Sequence, residues 1–440
     1  MSNAQKNIIF TVAPGGSLKG KARVPGDKSI SHRSVMLGAL AEGTTEVSGF
    51  LEGEDSLATL KAFQQMGVAI DGPDNGRVTI TGVGMNGLKQ PDKELNLGNS
   101  GTSMRLMSGL LAGQTFNTVL NGDKSLSSRP MRRVIDPLLQ MNADLQATQN
   151  GTAPIQVMGS KKLTGIDYVL PVASAQVKSC VLLAGLYAQG KTCVTEPAPT
   201  RDHTERMLQG FGYKLVREDN KVCLRGGGSL TATNIDVPAD ISSAAFFMVG
   251  ASIAEGSDLT LEHVGINPTR TGVIDILRLM GANIEVMNER EVGGEPVADI
   301  RIRSSQLKGI EIPEHLVPLA IDEFPVLFVA ASCASGQTVL TGARELRVKE
   351  SDRIQVMADG LQILGIDARP TEDGIVIEGG QMSSGTVVSH GDHRISMSFA
   401  MAALRCQGTV TIEDCANVDT SFPGFVDLTN SLGLAITSSR

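Results

Sequence analysis

The chain has 440 residues, of which 41% are hydrophobic and 20% charged, and its formal net charge is −8. That length exceeds one ordinary core, so two large domains are expected, and the composition fits a folded chain rather than a disordered one. The acidic balance excludes a general binder of nucleic acid or membrane surfaces, and with no Trp and only 3 Tyr there is little to stack on bases.

Any anion site must therefore be a local basic cluster. The six cysteines, at 180, 193, 223, 333, 406 and 415, form no CxxC pair and no Cys/His metal pattern. Free thiols in a reducing compartment are the expectation. Met1 to Phe10 lacks a signal-type apolar run, and the longest apolar stretch, Ala244 to Ala254, is too short to span a bilayer. A cytoplasmic location follows as the default.

Residues 1 to about 24 read as one strand that can pair in either domain. Next comes Val24-Pro25-Gly26-Asp27-Lys28-Ser29-Ile30-Ser31-His32-Arg33-Ser34, a turn followed by cap-type residues, two cations and an apolar run. Asp27 and Ser29 are good N-cap types, so a helix should start here. A helix N-terminus beside Lys28 and Arg33 makes a plausible anion cradle. On this stretch alone, a capped surface helix with two solvated cations remains open.

The same arrangement recurs along the chain. Each copy has a polar start, a helix of small and apolar residues, Gly with a hydroxyl residue, a β-rich stretch, an amphipathic helix and a closing strand. The starts are Asp27-Lys28-Ser29, Asn99-Ser100-Gly101-Thr102, Ala173-Ser174-Ala175-Gln176, Asp240-Ile241-Ser242-Ser243, Asp322-Glu323-Phe324 and Asp392-His393-Arg394. The period is about 70 residues, longer than the common solenoid repeats. In the fourth copy, Ser243 to Ala251 is apolar all round, which predicts a helix buried on every side. The boundary between domains falls between the third and fourth copies, where Gly226-Gly227-Gly228-Ser229 precedes Asp236-Val237-Pro238-Ala239-Asp240. This gives one domain of residues 25–238 and another of 1–24 plus 239–440, with a hinge near 236–241.

The polar starts and mid-copy loops carry Lys28, Arg33, Arg105, Arg129, Arg201, Lys349, Arg353 and Arg394. If the first helices point the same way, their N-termini converge on a positive cleft inside an acidic protein. Arg offers forked contacts suited to carboxylate and phosphate. Asp322 and Glu350 fall among these cations, where carboxylates bind anions poorly but accept or shuttle protons well. Plainer readings stand for several neighbours. His32 and His393 read as satisfied structural histidines, Asp352 as a partner of Arg353 or a neighbour, and Pro130 as a first-turn helix proline. Arg132 and Arg133 read as a solvated face, and Cys180 as core.

These motifs together resemble the 5-enolpyruvylshikimate-3-phosphate synthase family over essentially the full length. The resemblance is carried by Pro25-Gly26-Asp27-Lys28-Ser29-Ile30-Ser31-His32-Arg33, Leu97-Gly98-Asn99-Ser100-Gly101-Thr102, Arg129-Pro130-Met131, Ala173-Ser174-Ala175-Gln176-Val177-Lys178-Ser179, Arg347-Val348-Lys349-Glu350-Ser351-Asp352-Arg353 and Asp392-His393-Arg394. It implies a two-domain inside-out α/β barrel of six βαβαββ units, three per domain, and a hinge closing the domains over the substrates. Those substrates would be shikimate 3-phosphate and phosphoenolpyruvate, with no cofactor, no metal, no nucleic acid and no membrane, in a monomer. By resemblance Lys28, Ser29, Arg33, Ser174, Arg201, Asp322 and Lys349 contact shikimate 3-phosphate. Lys28, Gly101, Arg129, Gln176, Arg353 and Arg394 contact phosphoenolpyruvate. Asp322, Glu350 and Lys28 take the catalytic roles. The family's inhibitor glyphosate would occupy the phosphoenolpyruvate site beside Gly101.

Two departures stand out. Thr420, before Ser421-Phe422-Pro423, occupies a place where one branch of the family carries Lys, and Leu106 stands where glyphosate-sensitive relatives carry Pro. The remaining motifs resemble the bacterial class II branch. The related UDP-N-acetylglucosamine enolpyruvyl transferases carry a loop Cys before an Arg-Pro, and residues 123–128 here hold none. A non-catalytic phosphate-binding repeat scaffold would not need Asp322 and Glu350 among the cations.

Overall fold

The apolar first helix of each copy becomes the inside of the fold. A computed structural model describes residues 8–159 and 162–440. Its contacts divide the chain into two units. Unit one takes in the chain up to Pro25, Pro238–Glu291 and Pro296–Arg440; unit two is Gly26–Val237 with Val292–Glu295.

Unit two holds three sheets of one topology. Their strand orders are Ile235–Asp236, Thr44–Ser48, Arg77–Thr81, Ala69–Asp74; Leu95–Asn96, Thr118–Asn121, Ile155–Met158, Asp144–Gln146; and Asp167–Val169, Lys191–Thr195, Lys221–Arg225, Leu215–Glu218. In each, the first pair is parallel and the later pairs antiparallel. The parallel edge strand of the first sheet comes from the end of the third copy, which closes the unit on itself. Helices Lys28–Leu40, Gly101–Ala112 and Ala175–Gly185 are buried along most of their length. Thr44–Ser48 exposes every second residue, as a strand with one face on the core must.

Unit one repeats the plan. Its sheets are ordered Lys19–Ala22, Asp258–Gly265, Glu295–Arg303, Asn283–Val292; Gly385–Val388, Val410–Glu413, Ile9–Val12, Ile436–Ser439; and a three-stranded Gln337–Leu340, Ile375–Glu378, Asp367–Pro370. A parallel bridge between Glu311 and Val339 extends the last. Helix Ile241–Ile253 is buried at every residue, as the apolar run in its middle predicts.

Two expectations need correction. The segment before Lys28 forms two strands, not one, because Gly15 and Gly16 adopt positive φ and break the run. Both strands pair within unit one. The first seven residues, included in that strand reading and in the search for a leader, lie outside the described residues. Nor are all six cysteines free. Cys193 and Cys223 sit opposite each other on adjacent antiparallel strands, their Cα atoms 4.1 Å apart, and form a disulfide. They lie 30 positions apart in sequence, so their pairing follows from sheet register and not from spacing. Among the described residues, no helix is long and apolar enough to cross a membrane.

Candidate active site

In unit two the N-termini of the three buried helices meet. Asp27 caps Lys28–Leu40 by accepting from Ile30 N at 2.9 Å, and Ser100 caps Gly101–Ala112 by accepting from Ser103 N at 3.1 Å. Ser174 caps Ala175–Gly185 through Val177 N at 3.4 Å. The turn before the first helix needs Gly26, because a Cβ there would lie 1.8 Å from Gly49 O. Hydroxyls tie the helices together. His32 Nδ1 lies 2.8 Å from Thr59 Oγ1, which is 2.5 Å from Ser103 Oγ. Gln176 Nε2 donates to Thr102 Oγ1 at 3.1 Å.

The cations gather around these ends. Lys28 Nζ is ion-paired with Asp55. Arg33 donates to Thr204 Oγ1 at 2.7 Å, Ser29 O at 2.9 Å and Ser179 Oγ at 2.9 Å. Burial pulls its guanidinium down to about 10, against the opposing charges of Glu205 and Asp27, while nearby Arg201 adds to the fall. Arg129 donates to the Asn99 side chain, to Asn99 O at 3.3 Å and to Ser125 Oγ at 3.2 Å. Arg105 donates to Gln176 Oε1. A Cβ added at Gly101 would lie 3.2 Å from Arg129 Nη1 and 3.4 Å from Arg105 Nη1, so both guanidinium groups flank that glycine. Adjacent like charges at helix N-termini make an environment that favours a bound anion.

In unit one a second cluster is organised by Arg353, whose side chain is 1% exposed. Its Nε donates to Asp392 Oδ2 at 2.8 Å, its Nη1 to Asp322 Oδ1 at 3.2 Å and its Nη2 to Glu350 Oε2 at 2.6 Å. Lys349 Nζ lies 3.4 Å from Asp322 Oδ1, and Arg394 Nη1 donates to Asp322 O at 3.0 Å. Burial opposes the charge on Asp392, but Arg353 outweighs it and holds the carboxyl below its usual range. Burial likewise opposes the charge on Arg353, and Asp392, Glu350 and Asp322 together raise its pKa. Asp392 also caps helix His393–Ala402, and Asp240 caps Ile241–Ile253. Ser242 donates to Glu323, at the start of Phe324–Ser332.

The structure thus brings Lys28, Ser29, Arg33, Gly101, Arg129, Ser174, Gln176 and Arg201 into one unit, and Asp322, Lys349, Glu350, Arg353 and Arg394 into the other. Sequence reasoning did not select Asp55, Asn99 or Asp392 and gave Arg105 no role. Asp392 carried a legible signal, since it is the capping acid of the last copy. Asn99 carried one too, as the polar start of the second copy, whereas Asp55 carried none that local spacing reveals. Burial, then Lys28 and Arg33, hold the His32 pKa well below the usual value, so the ring is neutral. Its Nδ1 meets Thr59, but its buried Nε2 has no hydrogen-bond partner among the described residues, so it is not the fully satisfied histidine expected. Asp352 pairs with Arg347 at 2.6 Å and caps the Arg353–Ile363 helix. Pro130 lies ahead of the helix that starts at Arg132, so it is not a first-turn residue. Thr420 Oγ1 is spent on Asn417 O at 2.7 Å, and Leu106 is fully buried. Burial raises the pKa of all four free thiols, led by Cys180, so none is an activated nucleophile. Among the described residues, no group of His, Cys, Asp and Glu is arranged to hold a metal ion.

Comparison with known proteins places this arrangement. The family model described as EPSP synthase (3-phosphoshikimate 1-carboxyvinyltransferase) matches residues 12–428. A 3-phosphoshikimate 1-carboxyvinyltransferase of Methylococcus capsulatus is 69% identical over 434 residues, covering 99% of each chain. One of Alkalilimnicola ehrlichii is 70% identical over 429 residues, covering 97% of this chain and 96% of that one. A solved EPSP synthase from Acinetobacter baumannii superposes with a TM-score of 0.89 at 63% identity, covering 98% of this chain and all of that one. The enolpyruvyl transferase NikO from Streptomyces tendae shares only 16% identity but a TM-score of 0.81, over 98% of this chain and 99% of its own, so it shares the fold. The six copies, the two polar clusters and this full-length similarity agree: the chain has the enolpyruvyl transferase fold and belongs to the EPSP synthase (3-phosphoshikimate 1-carboxyvinyltransferase) family.

Proposed function

We propose that this protein transfers the enolpyruvyl group of phosphoenolpyruvate to the 5-hydroxyl of shikimate 3-phosphate, giving 5-enolpyruvylshikimate 3-phosphate and inorganic phosphate. The observation that carries the reading is the placement of Asp322 and Glu350 on the one buried guanidinium of Arg353, in a chain of this family. Two carboxylates held among cations can move protons while the cations neutralise substrate anions. Lys28, Ser29, Arg33, Ser174, Arg201 and Lys349 serve shikimate 3-phosphate. Lys28, Gly101, Arg129, Gln176, Arg353 and Arg394 serve phosphoenolpyruvate.

The chemistry is addition followed by elimination. A proton reaches the methylene carbon of phosphoenolpyruvate. The 5-hydroxyl oxygen bonds to the adjacent carbon as its own proton passes to Asp322 or Glu350. The tetrahedral adduct then loses phosphate from that carbon and a proton from the new methyl group, which restores the double bond. The cations offset the charge of two phosphates and two carboxylates, so that the reacting atoms can approach. The test is phosphate release on mixing both substrates, with each alone as control. Release that needs both supports the reading; no release, or release from phosphoenolpyruvate alone, contradicts it.

A further inference from the structure

Behind the unit-two cluster lies a charged group that the proposed reaction does not use. Lys178, on helix Ala175–Gly185, has a fully buried side chain. Its Nζ lies 2.9 Å from Glu196 Oε1 and 2.8 Å from Glu205 Oε1, and donates to Thr200 O at 3.4 Å. Both carboxylates are buried too, at 2% and 4% side-chain exposure. Such an ion group is costly to desolvate and tolerates the loss of a partner poorly.

The neighbours of this group lead to two arginines. Ser179 follows Lys178, and Thr204 precedes Glu205. Thr204 Oγ1 donates to Ser179 Oγ at 2.7 Å, and both oxygens accept from Arg33. The Lys178–Glu205 pair therefore pins helix Ala175–Gly185 to helix His203–Gly210, and the hydroxyls of these two helices clamp Arg33. On the other side, Glu196 Oε2 accepts from Thr200 N at 3.1 Å and from the Thr200 hydroxyl. Lys178 holds the carbonyl of the same residue, and Arg201 follows it.

We infer that Lys178, through Glu205 and Glu196, is a positioning residue that sets Arg33 and Arg201 at the spacing shikimate 3-phosphate requires. The inference rests on the substrate reading above, which gives both arginines to that ligand. It predicts an effect confined to one substrate, because Arg129 is held by Asn99 and Ser125, and Gln176 by Arg105 and Thr102.

The test uses the full chain, with Glu205→Gln, Lys178→Met and the double variant. Shikimate 3-phosphate binding is measured by titration calorimetry, the two Michaelis constants by steady-state kinetics, and folding by thermal midpoint. Glu205→Gln should weaken shikimate 3-phosphate binding by about tenfold, a size usual for residues that orient a ligating group. The Michaelis constant for phosphoenolpyruvate should move by less than about twofold, since it reports a different set of contacts. Glu205→Gln leaves Lys178 paired with Glu196, so its thermal midpoint should stay near the parent's while binding weakens; Lys178→Met and the double variant take the cation from Glu196 as well and should be less stable. Parent-like affinity in Glu205→Gln would overturn the inference. So would affinity lost only in step with the thermal midpoint across the three variants, since that marks a role in folding alone. If the parent itself does not bind shikimate 3-phosphate, the substrate reading falls and this inference with it. If the parent binds and the variants bind equally well, only the inference falls.

Discussion

Arg353 and Asp392 form the most enclosed charge pair of the unit-one cluster. The Arg353 Nε donates to Asp392 Oδ2 at 2.8 Å, with side chains 1% and 0% exposed. Asp392 meanwhile accepts from Arg394 N at 3.0 Å and from the Ser351 hydroxyl at 3.0 Å. One carboxylate thus fixes the guanidinium, which in turn holds Asp322 and Glu350.

Replacing that carboxylate should cost stability in a pH-dependent way. Asp392 is held below the usual carboxylate range in the fold, after burial is outweighed by Arg353. Its contribution is therefore fully present above the unfolded value of about 3.9 and is lost as pH falls through the lower folded value. Asp392→Asn should be destabilised by about 1.5–3 kcal/mol near neutrality, the usual worth of a hydrogen bond to a charged group, since Arg353 keeps Asp322 and Glu350 as partners. Denaturant unfolding of both proteins across the acid range checks this. The gap should shrink as pH falls below about 3.9, and a gap that widens there would contradict it.

Asp322 should matter to turnover and not to folding. Its carboxylate is partly exposed and lies between Lys349 and Arg353, while Arg394 donates to its backbone carbonyl. Asp322→Asn keeps the size but removes the proton acceptor. Turnover should drop by about 10² to 10⁴, the usual worth of a general acid–base group. Substrate dissociation constants should stay within a few-fold. Turnover within about threefold of the parent would remove Asp322 from the chemistry.

Gly101 should set how much room the phosphoenolpyruvate pocket offers. A methyl there meets Arg129 Nη1 at 3.2 Å and Arg105 Nη1 at 3.4 Å, so both guanidinium groups must give slightly. Overpacking by one methyl costs about 1–3 kcal/mol, and 1.4 kcal/mol is about tenfold in affinity. Gly101→Ala should raise the inhibition constant of glyphosate by about one to two decades. The Michaelis constant for the shorter phosphoenolpyruvate should rise less. Equal inhibition constants for the two proteins would show that this glycine does not line the inhibitor's place.

The disulfide adds a separate prediction. Cys193 and Cys223 close a loop with a sequence separation of 30 residues. On the chain-entropy account, a loop of that size contributes about 3–4 kcal/mol by restricting the unfolded state. The oxidised protein, unfolded without reductant, should show four titratable thiols, matching Cys180, Cys333, Cys406 and Cys415. Its denaturant midpoint should fall on reduction. Six thiols before reduction would contradict the pairing.

Local chemistry explains what the sequence made legible. Asp27, Ser100, Ser174, Asp240 and Asp392 are cap-type residues followed by small and apolar runs, and each does cap a buried helix. A helix such as Ile241–Ile253, whose middle is apolar all round, can only be interior. What stayed hidden depends on contacts between distant segments. The Arg353–Asp392 pair spans 39 residues, and His32 is neutral because the fold buries it beside Lys28 and Arg33. Lys178 sat in a quoted motif, yet its partners Glu196 and Glu205 lie outside that motif and on other elements. The split of the first segment into two strands turned on Gly15 and Gly16, whose conformation is set by the sheets they join.

The central claim is that a carbon–oxygen bond is made between the two substrates as phosphate leaves. Phosphorus NMR of the full chain with equal amounts of shikimate 3-phosphate and phosphoenolpyruvate tests it most directly. The account predicts that the phosphoenolpyruvate resonance falls as inorganic phosphate rises in step. The shikimate 3-phosphate resonance should meanwhile shift to that of the 5-enolpyruvyl ether product without losing intensity. Phosphate appearing while the shikimate 3-phosphate resonance stays where it was would contradict the transfer, as would two substrate resonances that never change.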